Sequence, residues 1–412
     1  MSGTATDAIA ASEDFWQRVA CELADDLAVD ALDRDRAGKP PDDEVARLRE
    51  SGLPAALAPP GAAGGGMAWQ DACAVVRRIA AADGSMGELL GRHYVLAWSP
   101  RFFATAERAA VLEDLAVREQ WLWAGGASPD PYDGPRLNDE GASLALTPAA
   151  HGYLLSGHRA LAAAVTVADR LVLDAVCTAT NETLVVLVDP RRPGVSRSLR
   201  HDRFGQRLTG AGTVHFDDVV IDPDEVVGPA VRDEDVIAPF AALAPLAMRL
   251  MQAHVALGIA EGALVEARDL SHVAFRTRPT VGGADTAMGA LAGGLDSDLL
   301  LAFGRLALAT NTASAVVDRA TAAMAGALGA GCGLDHRQFA DTAAHVATAE
   351  AVTVEAALLT GERVLELTDT EGLDRYWRNI RALVGPRPCA PTLRSIGDHF
   401  LHTTGSLRAP WS

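Results

Sequence analysis

LDRYWRNIRALVGPRPCAPTLRSIGDHFL, from Leu373 to Leu401, is the stretch that decides how the chain is read. Asp374 and Arg378 are four residues apart, so on a helix they face each other as an ion pair. Arg375, Arg378 and Asn379 share one face of that helix. Gly385, Pro386 and Pro388 stop it and force an extended loop. A second helical run follows, with Leu393, Ile396, Phe400 and Leu401 at helical spacing. A basic helix face ahead of a stiff loop suits phosphate binding and can hold a loop over a pocket. The same spacing also describes a solvated helix end laced with ion pairs.

LDRYWRN-R, a loop and then an IGD helix resemble the C-terminal signature of one branch of the acyl-CoA dehydrogenase superfamily. That branch holds two-component flavin monooxygenases similar to dibenzothiophene monooxygenase and to sulfur-acquisition oxidoreductases. The resemblance implies an α+β fold in three parts. These are an N-terminal helical domain (1–118), a middle β-barrel or sandwich (119–232) and a C-terminal four-helix bundle (233–412).

Upstream of the signature, ALAPLAMRLMQAHVALGIAEGALVEARDLSHVAF runs without a helix breaker after Pro245. Its small residues Ala256, Gly258, Ala260, Gly262 and Ala263 allow close helix packing. It ends in FRTRP, with Arg276 and Arg278. The resemblance implies that an arginine there holds the flavin phosphate, with the Arg375 and Arg378 face as a second contributor. Two further Ala/Leu helices are predicted over 295–328 and 335–367. Faces this rich in alanine are expected to bury themselves against a partner subunit, as a homodimer or homotetramer.

Between residues 119 and 232 the hydrophobic period changes. LALTPAAHGYLLSGHRALAA, ADRLVLDAVCTA, ETLVVLVDP and GTVHFDDVVI read as short strands between Gly, Asp, Asn and Pro breaks. GYLLSG, ADRLVL, VDPRRPGV and FGQRLTGAGTVHFDDVVID follow the order of the family's β-domain. By that likeness Trp123, Gly125, Gly126 and Ala127, with Ala162 and Ala163 in the hairpin, would meet the flavin ring. Glycine and alanine let main-chain N–H groups approach ring oxygens closely.

Residues 1–118 read as helical. Phe15, Val19, Leu23 and Leu27 keep a four-residue spacing, and Ala72, Val75, Val76, Ile79 and Ala80 make an apolar face. His93 and Tyr94 stand on an otherwise apolar helix after Asp83–Gly84. The plain reading of such a histidine is a packed core residue. The family likeness implies instead that His93 and Tyr94 line the reactive edge of the flavin as catalytic residues. Elimination points the same way. The family's two positions for a dehydrogenase base hold Met248, just before Arg249, and a loop near Arg387 (VGPRPCA) with no acid. The hairpin reads RALAAAV, where relatives often carry hydroxyl groups.

The chain has 412 residues and a net charge of −18, which argues against nucleic acid and anionic membrane surfaces as partners. No apolar run reaches the roughly 20 residues of a membrane span. MSGTATDAIAASEDFW lacks a basic n-region and an apolar core, so a cytoplasmic protein is expected. Five scattered cysteines form no CxxC, so no metal site is expected. No GxGxxG follows a strand, which implies a separate flavin reductase. The expected function is a two-component monooxygenase using reduced flavin, FMN ahead of FAD, and O2 on a small-molecule substrate. The alternatives are a flavin dehydrogenase of a CoA- or carrier-bound substrate, and a flavin-binding homologue with reduced catalysis.

Overall fold

Small residues set how closely the helices of this protein approach. The computed structural model describes residues 3–59, 65–126, 144–230, 240–277, 297–367, 371–385 and 389–402. The N-terminal helices are α1 (Gly3–Val29), α2 (Ala31–Ala37), α3 (Asp42–Glu50), α4 (Leu53–Ala56), α5 (Trp69–Ala82), α6 (Gly84–Ala97), α7 (Ser99–Phe103) and α8 (Ala106–Arg118). After the strands come α9 (Leu243–Thr277), α10 (Ser297–Ala330), α11 (His336–Leu367), α12 (Asp374–Val384) and α13 (Cys389–His402). Helix α9 is the common wall. It packs on α5 and α6 of the first part and on α10, α11 and α12 of the last.

The contact is nearly backbone to backbone. A Cβ at Gly258 would lie 2.3 Å from the Arg77 carbonyl oxygen, and one at Gly262 would lie 2.1 Å from that of Ala81. Arg77 then clamps the same seam through Glu261 and Ser314, which joins α5, α9 and α10.

The strands are β1 (Trp123–Gly126), β2 (Ala145–Ala149), β3 (Gly152–Leu161), β4 (Arg170–Cys177), β5 (Thr183–Val188), β6 (Val195–Leu199), β7 (Gly212–Ile221) and β8 (Val226–Pro229). They form one eight-stranded sheet in the order β6-β7-β3-β2-β4-β5-β8, with β1 parallel to β4. Leu171, Leu173, Val186 and Val188 join the main core, which continues into the helices, and Val172, Val185 and Leu187 face a smaller one with Leu96, Trp121 and Trp123.

Two helical stretches, Leu243–Val273 and Asp298–Gly333, are long and apolar enough by length and composition to cross a membrane. Alanine and the larger aliphatic residues raise their hydropathy without forming an uninterrupted apolar run. The first is 83% buried within the fold; the second is 22% buried. Among the described residues no group of His, Cys, Asp or Glu could hold a metal ion, and Cys21, Cys73, Cys177 and Cys332 are free.

The α5–α9 seam gives a direct test. Gly258→Ala or Gly262→Ala should each lower unfolding free energy by about 1–3 kcal/mol, because the helices must move apart. Urea unfolding followed by circular dichroism measures it, and an unchanged midpoint would contradict the packing described.

Candidate functional site

Helix α12 sits where the three parts meet. Its N-terminal ion pair is the one its spacing predicts, with Arg378 Nε donating to Asp374 Oδ2 at 2.9 Å. The rest of the Arg378 guanidinium reaches Asp35 of α2, whose side chain is only 7% exposed, and the Phe204 carbonyl at 3.2 Å. Arg375 turns to Glu266 of α9, and the Tyr376 hydroxyl donates to the same carboxylate at 2.8 Å. Asn379 Oδ1 accepts the Gln206 N–H at 2.7 Å. The GQR loop lies flush on this helix, since a Cβ at Gly205 would fall 2.0 Å from the Arg378 carbonyl oxygen.

Two segments expected to meet a flavin ring lie close to this junction. The bend Ala162–Ala164 follows β3. Ala164 takes a left-handed φ of +60°, and its N–H donates to the Thr209 carbonyl at 2.7 Å. Val165 N–H donates to Gly210 O, so the TGAG loop pins the bend from outside. The Thr166 hydroxyl beyond it is buried without a partner among the described residues. Strand β1 begins where this connection ends, with Asp169 N–H donating to the Leu122 carbonyl. At the far end of β1 a Cβ on Gly126 would meet none of the described residues within 4 Å. Small side chains, open space at Gly126 and a stapled bend fit the flat ring of a flavin. Ala127 lies outside the described residues.

His93 and Tyr94 are placed differently from the expectation. Both are fully buried, and both are held by main chain. His93 Nε2–H donates to the Pro54 carbonyl at 2.8 Å, and His93 Nδ1 accepts the Trp123 N–H at 3.1 Å. Those partners fix the neutral Nε2–H tautomer. Burial pushes its pKa down to about 4. The Tyr94 hydroxyl donates to the Leu53 carbonyl at 2.8 Å, and burial raises its pKa. The ring of His93 borders a small cavity of about 40 Å³ with Pro54, Trp98, Trp121 and Trp123, but both its nitrogens are spoken for. In this conformation the pair fastens α6 to α4 and to β1, and offers no free donor to a ligand.

The phosphate assignment also changes. Arg375 and Arg378 are spent on Glu266, Asp35 and Asp374, so neither guanidinium stands free to grip a phosphate. The Arg276 side chain and Arg278 lie outside the described residues. Asp35 and Glu266 carry no local signal in the sequence. Only the excess of arginine on α12 hinted that buried carboxylates had to face it.

Two measurements follow from these geometries. Arg378→Ala leaves the buried Asp35 carboxylate without its guanidinium and should cost about 3–5 kcal/mol of stability. Flavin affinity, measured in the folded fraction, should stay close to wild type; a loss of flavin with stability unchanged would restore the phosphate role. His93 gives a pH dependence. An unfolded histidine takes its proton near 6.5 and the folded one near 4. Between those values the unfolded state binds the extra proton, so stability falls as pH drops from about 6.5 to about 4, by about 3 kcal/mol at this residue. His254, bonded to Thr321 and pushed down to about 3, acts in the same direction. His93→Gln should flatten the slope of melting temperature against pH; an unchanged slope would contradict this account.

No family model matches the chain. It is 27% identical over 392 residues to the probable FMNH2-dependent monooxygenase SfnC of Pseudomonas putida, covering 93% of this chain and 94% of that protein. It is 29% identical over 400 residues to the dibenzothiophene monooxygenase of Rhodococcus qingshengii, covering 93% and 92%. Among solved structures, FMN-bound TdsC from Paenibacillus sp. A11-2 superposes with a TM-score of 0.82 at 28% identity, over 96% of this chain and all of that one. Butyryl-CoA dehydrogenase from Megasphaera elsdenii shares the fold, with a TM-score of 0.72 at 19% identity over 95% and 98% of the two chains. In sequence the chain is similar to dibenzothiophene monooxygenases along nearly its whole length, and its fold is the one they share with acyl-CoA dehydrogenases.

Proposed function

We propose that this protein is the oxygenase of a two-component flavin monooxygenase, taking reduced FMN from a separate reductase and using O2 on a small organic substrate. The observation that carries the reading is the full-length likeness to FMNH2-dependent monooxygenases in a chain whose two family base positions hold no acid. Met248 occupies one family base position, and the loop at the other is VGPRPCA. Removing an α-proton from a thioester needs a positioned base. Oxygen transfer by a reduced flavin depends more on a dry, closed pocket.

The flavin, when bound, supplies the activation of O2; the protein supplies the seat and the exclusion of water. In this reading β1 and the Ala162–Ala164 bend hold the ring. Behind β1, Leu96, Trp121, Trp123, Val172, Val185, Leu187 and Val227 form a dry layer. Arg276 and Arg278 remain the candidates for the phosphate. His93 acts as a positioning residue, since it holds the Trp123 main chain.

Homo-oligomerisation belongs to the same proposal. Leu300, Leu301 and Leu308 of α10 and Leu393, Phe400 and Leu401 of α13 are exposed, apolar side chains on two helices suited to a second copy of the chain. A cytoplasmic location fits dependence on a diffusible reduced flavin.

The test is direct. Purified protein loaded with FMN, a flavin reductase, NADH and air should retain oxygen at the flavin longer than free FMNH2, with little hydrogen peroxide released. Decay identical to free FMNH2 would sink the oxygenase reading. Bleaching of bound oxidised flavin by butyryl-CoA would favour the dehydrogenase instead. Light scattering at micromolar concentration should give a dimer or tetramer; a monomer would remove the shared α10 face.

A further inference from the structure

Helix α6 carries a buried carboxylate that the fold does not satisfy. The Glu88 side chain is 5% exposed. Its Oε1 accepts from Arg92 Nε, one helical turn on, while its Oε2 is buried with no partner among the described residues. Arg92 keeps 20% of its side-chain exposure, so the pair is asymmetric: the cation has an edge to solvent and the anion has none. A buried carboxylate oxygen without a donor is costly, and native proteins satisfy such groups.

Helical geometry places Glu88 in a particular corner. Gly84 and Gly91 lie against Ile259 and Met251 of α9. Ser85 faces the β-domain, where its hydroxyl accepts the Leu208 N–H at 3.3 Å. Successive residues turn by about 100°, so Glu88 stands between these two faces, in the seam where α6, α9 and the TGAG loop converge. That loop is the one whose Thr209 carbonyl pins Ala164. Glu88 is therefore one helical turn from the loop that shapes the proposed flavin seat, and the seat itself is lined by alanine at 162–164.

We propose that Glu88 is a specificity-determining residue whose free Oε2 accepts a hydrogen bond from a substrate bearing an N–H or O–H donor, with Arg92 holding the other oxygen in place. The inference rests on the oxygenase reading for what happens to that substrate, but the donor preference is a binding property and can be measured alone. A pocket built around an acceptor discriminates strongly between a ligand with the donor and its isostere without it, because the second leaves the acceptor unpaired.

Matched pairs test it. Indole against benzothiophene, and carbazole against dibenzothiophene, differ chiefly in one N–H. Calorimetric titration of the FMN-loaded protein should show the N–H member of at least one pair binding about ten-fold tighter or more. Glu88→Gln can present an amide N–H in place of the free oxygen, and should cancel or reverse the preference. Glu88→Met keeps the volume and serves if the glutamine variant fails to fold, with circular dichroism and FMN affinity as controls. Affinities within about two-fold in both pairs, no binding by any of the four, or a preference that persists in the folded variants would overturn the proposal. Normal FMN-dependent oxygen use without donor preference removes this inference alone. Donor preference without oxygen use removes the oxygenase reading and leaves the Glu88 site standing.

Discussion

The ion pair between Arg378 and Asp35 is the constraint on which the rest of the arrangement depends. Neither group could be buried alone, because an isolated charge in a low-dielectric interior is strongly disfavoured. Asp35 belongs to α2 and Arg378 to α12, so pairing them draws the last part of the chain onto the first. Asn379 and the Arg378 carbonyl then receive the GQR loop, and Arg375 locks α12 to α9 through Glu266. One short helix thus sets the mutual position of all three parts.

A second set of fastenings works from the other side. Asp83 caps α6 by accepting the N–H groups of Ser85 and Met86, and its other oxygen takes Arg34 at 2.6 Å. Further along α6, His93 holds the Trp123 main chain. Helix α6 is therefore fixed at both ends, to α2 and to β1. Glu88 lies between those anchors, which is why its unpaired oxygen is held rather than free to swing out to water. A rigid helix presenting an unsatisfied acceptor is what a specific binding site requires.

Much of this was legible in the sequence, in proportion to how local each interaction is. The Asp374–Arg378 pair follows from spacing alone and is present. The change from helical to strand period near residue 120, and back again after residue 230, follows from composition. The small residues of α9 correctly announced close packing. What the sequence could not show were the partners. Arg375 and Arg378 looked like phosphate ligands because Asp374 is the one acid on their helix; the other carboxylates they meet lie 109 and 343 residues away. His93 stood out as a polar group on an apolar helix, yet its partners are main-chain atoms, which have no letter in the sequence. Glu88 is one of several acids outside the family base positions, and nothing in its spacing sets it apart. Only three-dimensional burial reveals that one oxygen is left over.

The distance between Asp35 and Arg378 has a consequence for how the molecule comes into being. On a ribosome, Asp35 emerges early and its counter-charge is synthesised 343 residues later. The strands and the N-terminal helices can begin to collapse in the meantime, but the carboxylate must stay hydrated until α12 arrives, and α2 must stay able to open for it. Synthesis of α12, rather than growth of any earlier part, is then the event that closes the fold.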